Sequence, residues 1–203
     1  LAAIPGILKY GAKSFSSIGN IKSAGTKLVC LDSLFKNPGV YEMDMGTPMK
    51  KIIYDIGGGF IKPVKALQIG GPLGGVIPIK EVEKLNLDFQ EFTKAGFMLG
   101  HGGIVSIPED FNMIKYIHHL FKFSAEESCG KCFPGRLGSY RGKEMFDQAV
   151  NKTNKIPIKL LNELLITMQK GSLCALCGAI PLPIQNILKY FTDEFKTDIN
   201  QEA

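Results

Sequence analysis

Five cysteines supply the reactive thiols of this chain, and four of them fall into two C-x-x-C pairs, Cys129/Cys132 and Cys174/Cys177. A C-x-x-C turn brings two thiolates to one side of the backbone. Two such turns can converge on one metal, and zinc and iron–sulfur clusters both favour four thiolate ligands. The spacing by itself serves zinc and a cluster alike. A cysteine can also be a small buried hydrophobe, but two matched pairs are too specific a pattern for that use alone. A thioredoxin-like exchange site would follow a strand and open a helix within a βαβ unit, and neither pair does. The surroundings separate zinc from a cluster. Zinc modules are small and fold on their metal, with pairs about 15–20 residues apart. Here the pairs lie farther apart, within an apolar helical region able to fold by its own burial. That favours iron–sulfur.

The first pair sits in ESCGKCFPGRLG, where Gly135 occupies the next three-residue step at which a third cysteine would continue the run. Cys30 lies in a strand pattern and is expected in the core. His118 and His119 are adjacent on a helix, where neighbours face about 100° apart, so they cannot both aim at one site. They are expected to be ordinary surface or core histidines. His101, in LGHGG, belongs to a turn.

The elements that must carry these residues fall into three regions: 1–25, an N-terminal helix and linker; 26–86, a β-grasp-like module; and 87–203, a helical domain bearing the cysteines. The first region predicts a helix over Ile4–Lys13 with Pro5 in its first turn, then a Ser/Gly-rich link. In the second, TKLVCLD, PGVYEMDM and VKALQIGG read as strands. GTPMKKIIYDIGGG reads as a helix with Thr47 as N-cap, Pro48 at its first position, an apolar stripe of Met49, Ile52, Ile53 and Ile56, and Gly57 as its stop. In the third, Phe89–Ala95 predicts a short helix and GGIVSIP a strand. Four helical patterns follow at 110–126, 136–152, 156–170 and 183–195, with Leu160, Leu161, Leu164, Leu165 and Met168 as core. The fold class is α+β.

The 203 residues can bury one large core or two small ones. With 45% hydrophobic and 21% charged residues, a mean hydropathy of +0.08 and no apolar run of the roughly 18 residues a membrane span needs, the composition fits a soluble cytoplasmic protein. The net charge of +5 comes from lysines spread along the chain, which argues against a nucleic-acid surface. The odd cysteine count does not fit a secreted disulfide framework. The chain opens on Leu1 in a helical pattern without an initiator Met, and so reads as the tail of a longer protein.

ESCGKCFPGRLGSYRG together with GSLCALCGAIPLPIQNILKYFTDEF resembles the C-terminal part of the flavin-containing, NADH-oxidising subunit of respiratory NADH dehydrogenase and its soluble relatives. That family carries E-S-C-G-x-C-x-P-C-R and a later C-A-L-G-like segment, whose four cysteines hold one [4Fe–4S] cluster. GTKLVCLDSLFKNPGVYEMDMGTPMKKIIYDIGGG is similar to the family's SLBB (soluble-ligand-binding β-grasp) module. GGPLGG, LGHGG and GSLCAL look nearest to the β-subunit of NAD-dependent formate dehydrogenase and to NAD-coupled hydrogenase subunits.

The resemblance implies an electron-transfer fragment with no catalytic residue of its own. Its electrons would pass between FMN, on an N-terminal half absent from this sequence, and the clusters of ferredoxin-like or thioredoxin-like partner subunits. FMN and NAD would bind only to that absent half, because IGGGF, IGGPLGG and GHGG lack the strand–turn–helix setting of a dinucleotide fingerprint. Carried over by position, Cys129, Cys132 and Cys174 match ligands, with Gly130 and Arg136 in the cofactor loop. Gly135 stands at the third ligand and Cys177 at a position usually held by Gly. Several outcomes stand open: Cys177 supplies the missing thiolate; three cysteines hold a cluster with a non-protein ligand; the cluster is [3Fe–4S]; or the site is zinc-filled or empty in a non-redox interaction module.

Overall fold

The structure is a computed structural model that describes residues 2–200. It divides into two units, one comprising the residues up to Gly71 with Ile77–Glu109, the other Pro72–Val76 with the residues from Asp110 onward. The fold is mixed α+β.

The first unit begins with α1 (Ile4–Tyr10) and α2 (Ala12–Ser16). The expected single helix is broken because Gly11 adopts φ +86°, a conformation glycine tolerates and other residues avoid. Its sheet comprises β1 (Thr26–Leu31), β2 (Gly39–Asp44), β3 (Val64–Ile69), β4 (Gly75–Pro78) and β5 (Gly103–Pro108), in the order β2-β1-β5-β3-β4. β1 runs antiparallel to β2 and parallel to β5, and β5 is antiparallel to β3. The sheet thus extends past residue 86, because 103–108 forms its central strand. Asp32, just after β1, holds that strand in place. Its carboxylate accepts from Ser106 N at 2.6 Å, Ser106 Oγ at 3.0 Å and Leu34 N at 3.1 Å.

Alternation along β1 buries Val29 and Leu31 and therefore turns Cys30 outward. The expected core role of Cys30 is wrong for that reason. The predicted helix after Met45 is a short α-helical turn, α3 (Met49–Lys51), that continues as a π-helix over Ile52–Ile56. Met49, Ile52 and Ile53 are buried as expected. Pro48, with an extended ψ of 131°, takes the N-cap position instead of Thr47, whose hydroxyl donates to Asp44 O at 2.8 Å. The short α4 (Ile79–Val82) and β4 were not separable from the glycine-rich loop by pattern. α5 (Phe89–Lys94) is capped by Asp88, which accepts from Gln90 N and Glu91 N at 2.8 and 2.9 Å.

The second unit contains α6 (Met113–Glu127), α7 (Ser139–Val150), α8 (Ile158–Gly171), α9 (Ala175–Ala179) and α10 (Pro181–Tyr190). Asn112 caps α6 by accepting from Lys115 N. A π-helical turn, Pro134–Gly138, leads directly into α7. The last pattern ends earlier than expected, at Tyr190, and continues as a 3-10 turn over Thr192–Phe195. Two strands not visible in the sequence, β6 (Ile156–Pro157) and β7 (Ile199–Asn200), pair in parallel and tie down the end of the described chain. Ile117, Phe121, Phe146, Leu161, Leu165, Met168 and Ile184 form the apolar centre, whereas Leu160 is partly exposed at 39%. Leu160 precedes the buried Leu161 by one residue, about 100° around the helix. Among the described residues, no helix is long and apolar enough to cross a membrane.

Candidate metal centre

Both C-x-x-C pairs lie where helices end and restart. α6 stops at Ser128, whose backbone turns extended (ψ 127°), and Gly130 makes the turn at φ +72°. The Gly130 N–H donates to Ser128 Oγ at 3.3 Å. The chain then re-enters helix through Pro134, whose fixed φ suits the first helical position. π-Turns of this kind are frequent at functional sites. On the second loop, α8 ends at Gly171, Cys174 is the N-cap of α9, and Cys177 lies three residues on, within that helix. Cys174 itself is extended (φ −136°, ψ 165°) and exposed, whereas Cys177 is buried within the helix.

Glycines set how closely these segments approach. A Cβ at Gly138 would lie 2.9 Å from Met168 Cγ, and one at Gly171 would lie 3.1 Å from Pro134 Cγ, so the π-turn packs directly on α8. At Gly135 the approach involves the thiols themselves. A Cβ there would stand 3.1 Å from Cys132 Sγ and 3.1 Å from Cys177 Sγ. The two sulfurs, one from each loop, therefore flank a single point. Cys132 Sγ accepts hydrogen bonds from the backbone N–H of Leu173, on the other loop, and of Gly135; these outweigh burial and lower its pKa. Ser172 Oγ is buried nearby without a hydrogen-bond partner.

Of the expected site residues, the fold brings Cys132 and Cys177 together. Cys177 is buried at 2%, Cys132 is half-buried, and Cys129 and Cys174 are exposed on the same two loops. Gly130 provides the positive-φ turn. Arg136 is exposed and stacks its guanidinium over the Phe133 ring at 5.2 Å. His118 lies 2.7 Å from Asp147 Oδ1 without the alignment of a hydrogen bond, and His119 lies against the Tyr116 ring. His101 accepts from Gly103 N in its turn. Residues that sequence pattern did not single out are Ser124, Ser139 and Ser172, which place hydroxyls beside the sulfurs. Buried serines on apolar helix faces were the one available signal.

The donor set suits a cluster. A single tetrahedral zinc draws its thiolates to about 3.8 Å from one another, given Zn–S bonds of about 2.3 Å. A cubane spreads its thiolates wider, and backbone N–H groups aimed at a ligand sulfur are characteristic of its surroundings. Residues 115–198 match the family described as the NADH-ubiquinone oxidoreductase-F iron-sulfur binding region. This segment is an F-type iron–sulfur binding region, and its cofactor is a [4Fe–4S] cluster.

The likeness extends beyond the F-type region. The NADP-reducing hydrogenase subunit HndC of Solidesulfovibrio fructosivorans is 33% identical, over 99% of this chain and 41% of its own length. The F-type subunit of NADH-quinone oxidoreductase from Rickettsia bellii (strain OSU 85-389) is 34% identical, over 98% of this chain and 49% of its own. The chain thus spans about half the length, or less, of these curated relatives. Among solved structures, an NAD+-reducing [NiFe]-hydrogenase in the H2-reduced state superimposes with a TM-score of 0.87 at 22% identity, over 99% of this chain and 34% of that one. At that identity the match establishes the fold.

Proposed function

We propose that this chain is the electron-transfer part of an NADH-oxidising or NAD-reducing oxidoreductase subunit. Its electrons pass between FMN, held with NAD by a preceding part of the subunit, and iron–sulfur clusters of partner subunits. The observation that carries this reading is the meeting of Cys132 and Cys177 from separate loops at Gly135, inside the F-type region. When bound, the group supplies one-electron exchange. Cys129, Cys132 and Cys174 would provide thiolates, while Leu173 N–H and Gly135 N–H donate towards Cys132 and favour its anionic form. Gly130 lets the loop turn, and Arg136 adds positive charge beside it. No acid, base or nucleophile in the chain is required, because the redox chemistry belongs to the cofactors.

The exposed Phe133 and Leu173, at 69% and 75%, flank the two thiol loops and support a docking face for a redox partner there. The mixed sheet supports assigning the first unit to an SLBB-like β-grasp module and α6–α10 to a helical-bundle iron–sulfur domain. The parent reaction would couple NAD to hydrogen, formate or a quinone, in the cytoplasm. Anaerobic purification with iron, sulfide and zinc analysis tests the proposal. Brown protein with about four irons per chain, bleached by dithionite, is expected for this cluster type. Colourless protein holding zinc or no metal would reject it in favour of a non-redox interaction module.

A further inference from the structure

We infer that Cys177 is the fourth thiolate of the cluster, delivered from α9 into the volume that the side chain of residue 135 would otherwise occupy. The inference rests on the cluster reading above and adds to it the source of the missing ligand.

The decisive geometry is at Gly135. A Cβ built there lies 3.1 Å from Cys177 Sγ and 3.4 Å from Cys177 Cβ, as well as 3.1 Å from Cys132 Sγ. Carbon atoms in contact normally settle at about 3.5–4.0 Å. A side chain at 135 and the cysteine at 177 therefore compete for one space, beside the Cys132 sulfur. The backbone at 135 does not itself demand glycine, since its φ is not positive. A side chain there would press on both sulfurs, each of which would have to give by a few tenths of an ångström. The C-x-x-C run that would step from Cys132 to residue 135 is thus completed from the other loop.

The surroundings of Cys177 are those of a ligand rather than a packing residue. A cysteine serving only as a small hydrophobe is content among apolar neighbours. Here Ser124 Oγ and Ser139 Oγ each lie 3.7 Å from Cys177 Sγ, and both serines are fully buried. Ser139 donates its hydroxyl hydrogen to Gly135 O at 2.7 Å, so the Ser124 hydrogen is left for Ser139 Oγ at 3.0 Å or for the sulfur. Buried hydroxyls are costly unless paired. These two form a polar pocket on the inner side of Cys177, with a donor available to a sulfur carrying negative charge. Ligation deprotonates the thiol, and its proton leaves to solvent. Cys174, three residues earlier, is the extended N-cap of α9, on the same loop.

The test compares the wild-type chain with Cys177→Ala and with the exchange variant Gly135→Cys/Cys177→Gly. Each is reconstituted anaerobically with ferrous iron and sulfide, then examined for iron and sulfide content and by EPR, with circular dichroism reporting on folding. The expected results are about four irons in the wild type, about three or fewer in Cys177→Ala, and recovery to about four in the exchange variant. A folded Cys177→Ala chain that keeps its full iron and the wild-type EPR spectrum overturns the ligand assignment while leaving the cluster reading standing. So does a folded exchange variant that takes up no more iron than Cys177→Ala. If Cys177→Ala does not fold, the exchange variant decides alone: full iron upholds the assignment, and a shortfall overturns it. A wild-type chain that takes up no iron overturns the cluster reading and this inference together.

Discussion

Replacing Gly142 by Ala tests the packing that holds the iron–sulfur unit together. Gly142 lies in α7 opposite Phe121 of α6. An added Cβ would sit 2.1, 2.3 and 2.5 Å from Phe121 Cε1, Cδ1 and Cζ. Ordinary carbon contact needs about 3.5–4.0 Å, so the ring must retreat by roughly 1.5 Å. It has little room to do so. Phe121 is fully buried, and the Phe146 ring stands beside it with centroids 5.7 Å apart. Overpacking of this kind costs about 1–3 kcal/mol, and the tightness here points to the upper half of that range. The gain in helix propensity from Gly to Ala offsets about 1 kcal/mol. The expected net loss is about 1–2 kcal/mol, read as a lower urea midpoint at unchanged slope. Phe121→Leu in the same background should recover part of the loss, giving a favourable coupling of about 1 kcal/mol in the double-mutant cycle. A Gly142→Ala chain as stable as the wild type, or stabilised by its better propensity, would refute the close approach of α6 and α7.

Three further outcomes are expected in the first unit. Asp32→Ala removes the carboxylate that ties the end of β1 to Ser106, and should lower stability by about 2–3 kcal/mol in urea unfolding. Burial pushes the Asp88 carboxyl up, but hydrogen bonds from Asn20 Nδ2, Glu91 N–H and Gln90 N–H more than offset this and hold it below its ordinary value. Its contribution is therefore complete above about pH 4 and is lost as pH falls through the native value. Asp88→Ala should cost about 1 kcal/mol at neutral pH, while Asp88→Asn keeps the cap and should flatten the acid dependence of the melting temperature. The hydrogen bond from Tyr54 to Glu83, with burial and the Glu83 charge, pushes the Tyr54 phenol up to about 12. This contribution is present below about pH 10 and fades as pH rises through 12. In the phenolate absorbance difference against Tyr54→Phe, Glu83→Gln should bring that titration back towards 10.

The sequence exposed most of what depends on near neighbours. The 3.6-residue periodicity of 113–127 and 158–171 marked helices whose apolar stripes do become the centre of the second unit. Strands β1, β2, β3 and β5 showed in their β-prone runs. The exceptions were also local, but turned on competition between neighbours. Either Thr47 or Pro48 could have opened the turn after Met45, and the Thr47 hydroxyl bonded back to Asp44. β4, β6 and β7 have only two to four residues each, too few for a pattern, and exist because a distant strand supplies their hydrogen bonds.

The candidate site divides in the same way. Residue types and spacing alone determined that four thiols come in two pairs, that Gly135 interrupts the first run, and that a cluster suits the helical context better than zinc. Only the tertiary structure decided that Cys177, not Cys30, is buried, that its sulfur meets Cys132 across Gly135, and that Ser124 and Ser139 surround it. Cys132 and Cys177 are joined by two long helices and their connection, and no local periodicity records where such loops meet. Their meeting is fixed by how closely the helices pack, which Gly138, Gly142 and Gly171 permit by having no side chain to keep their neighbours away.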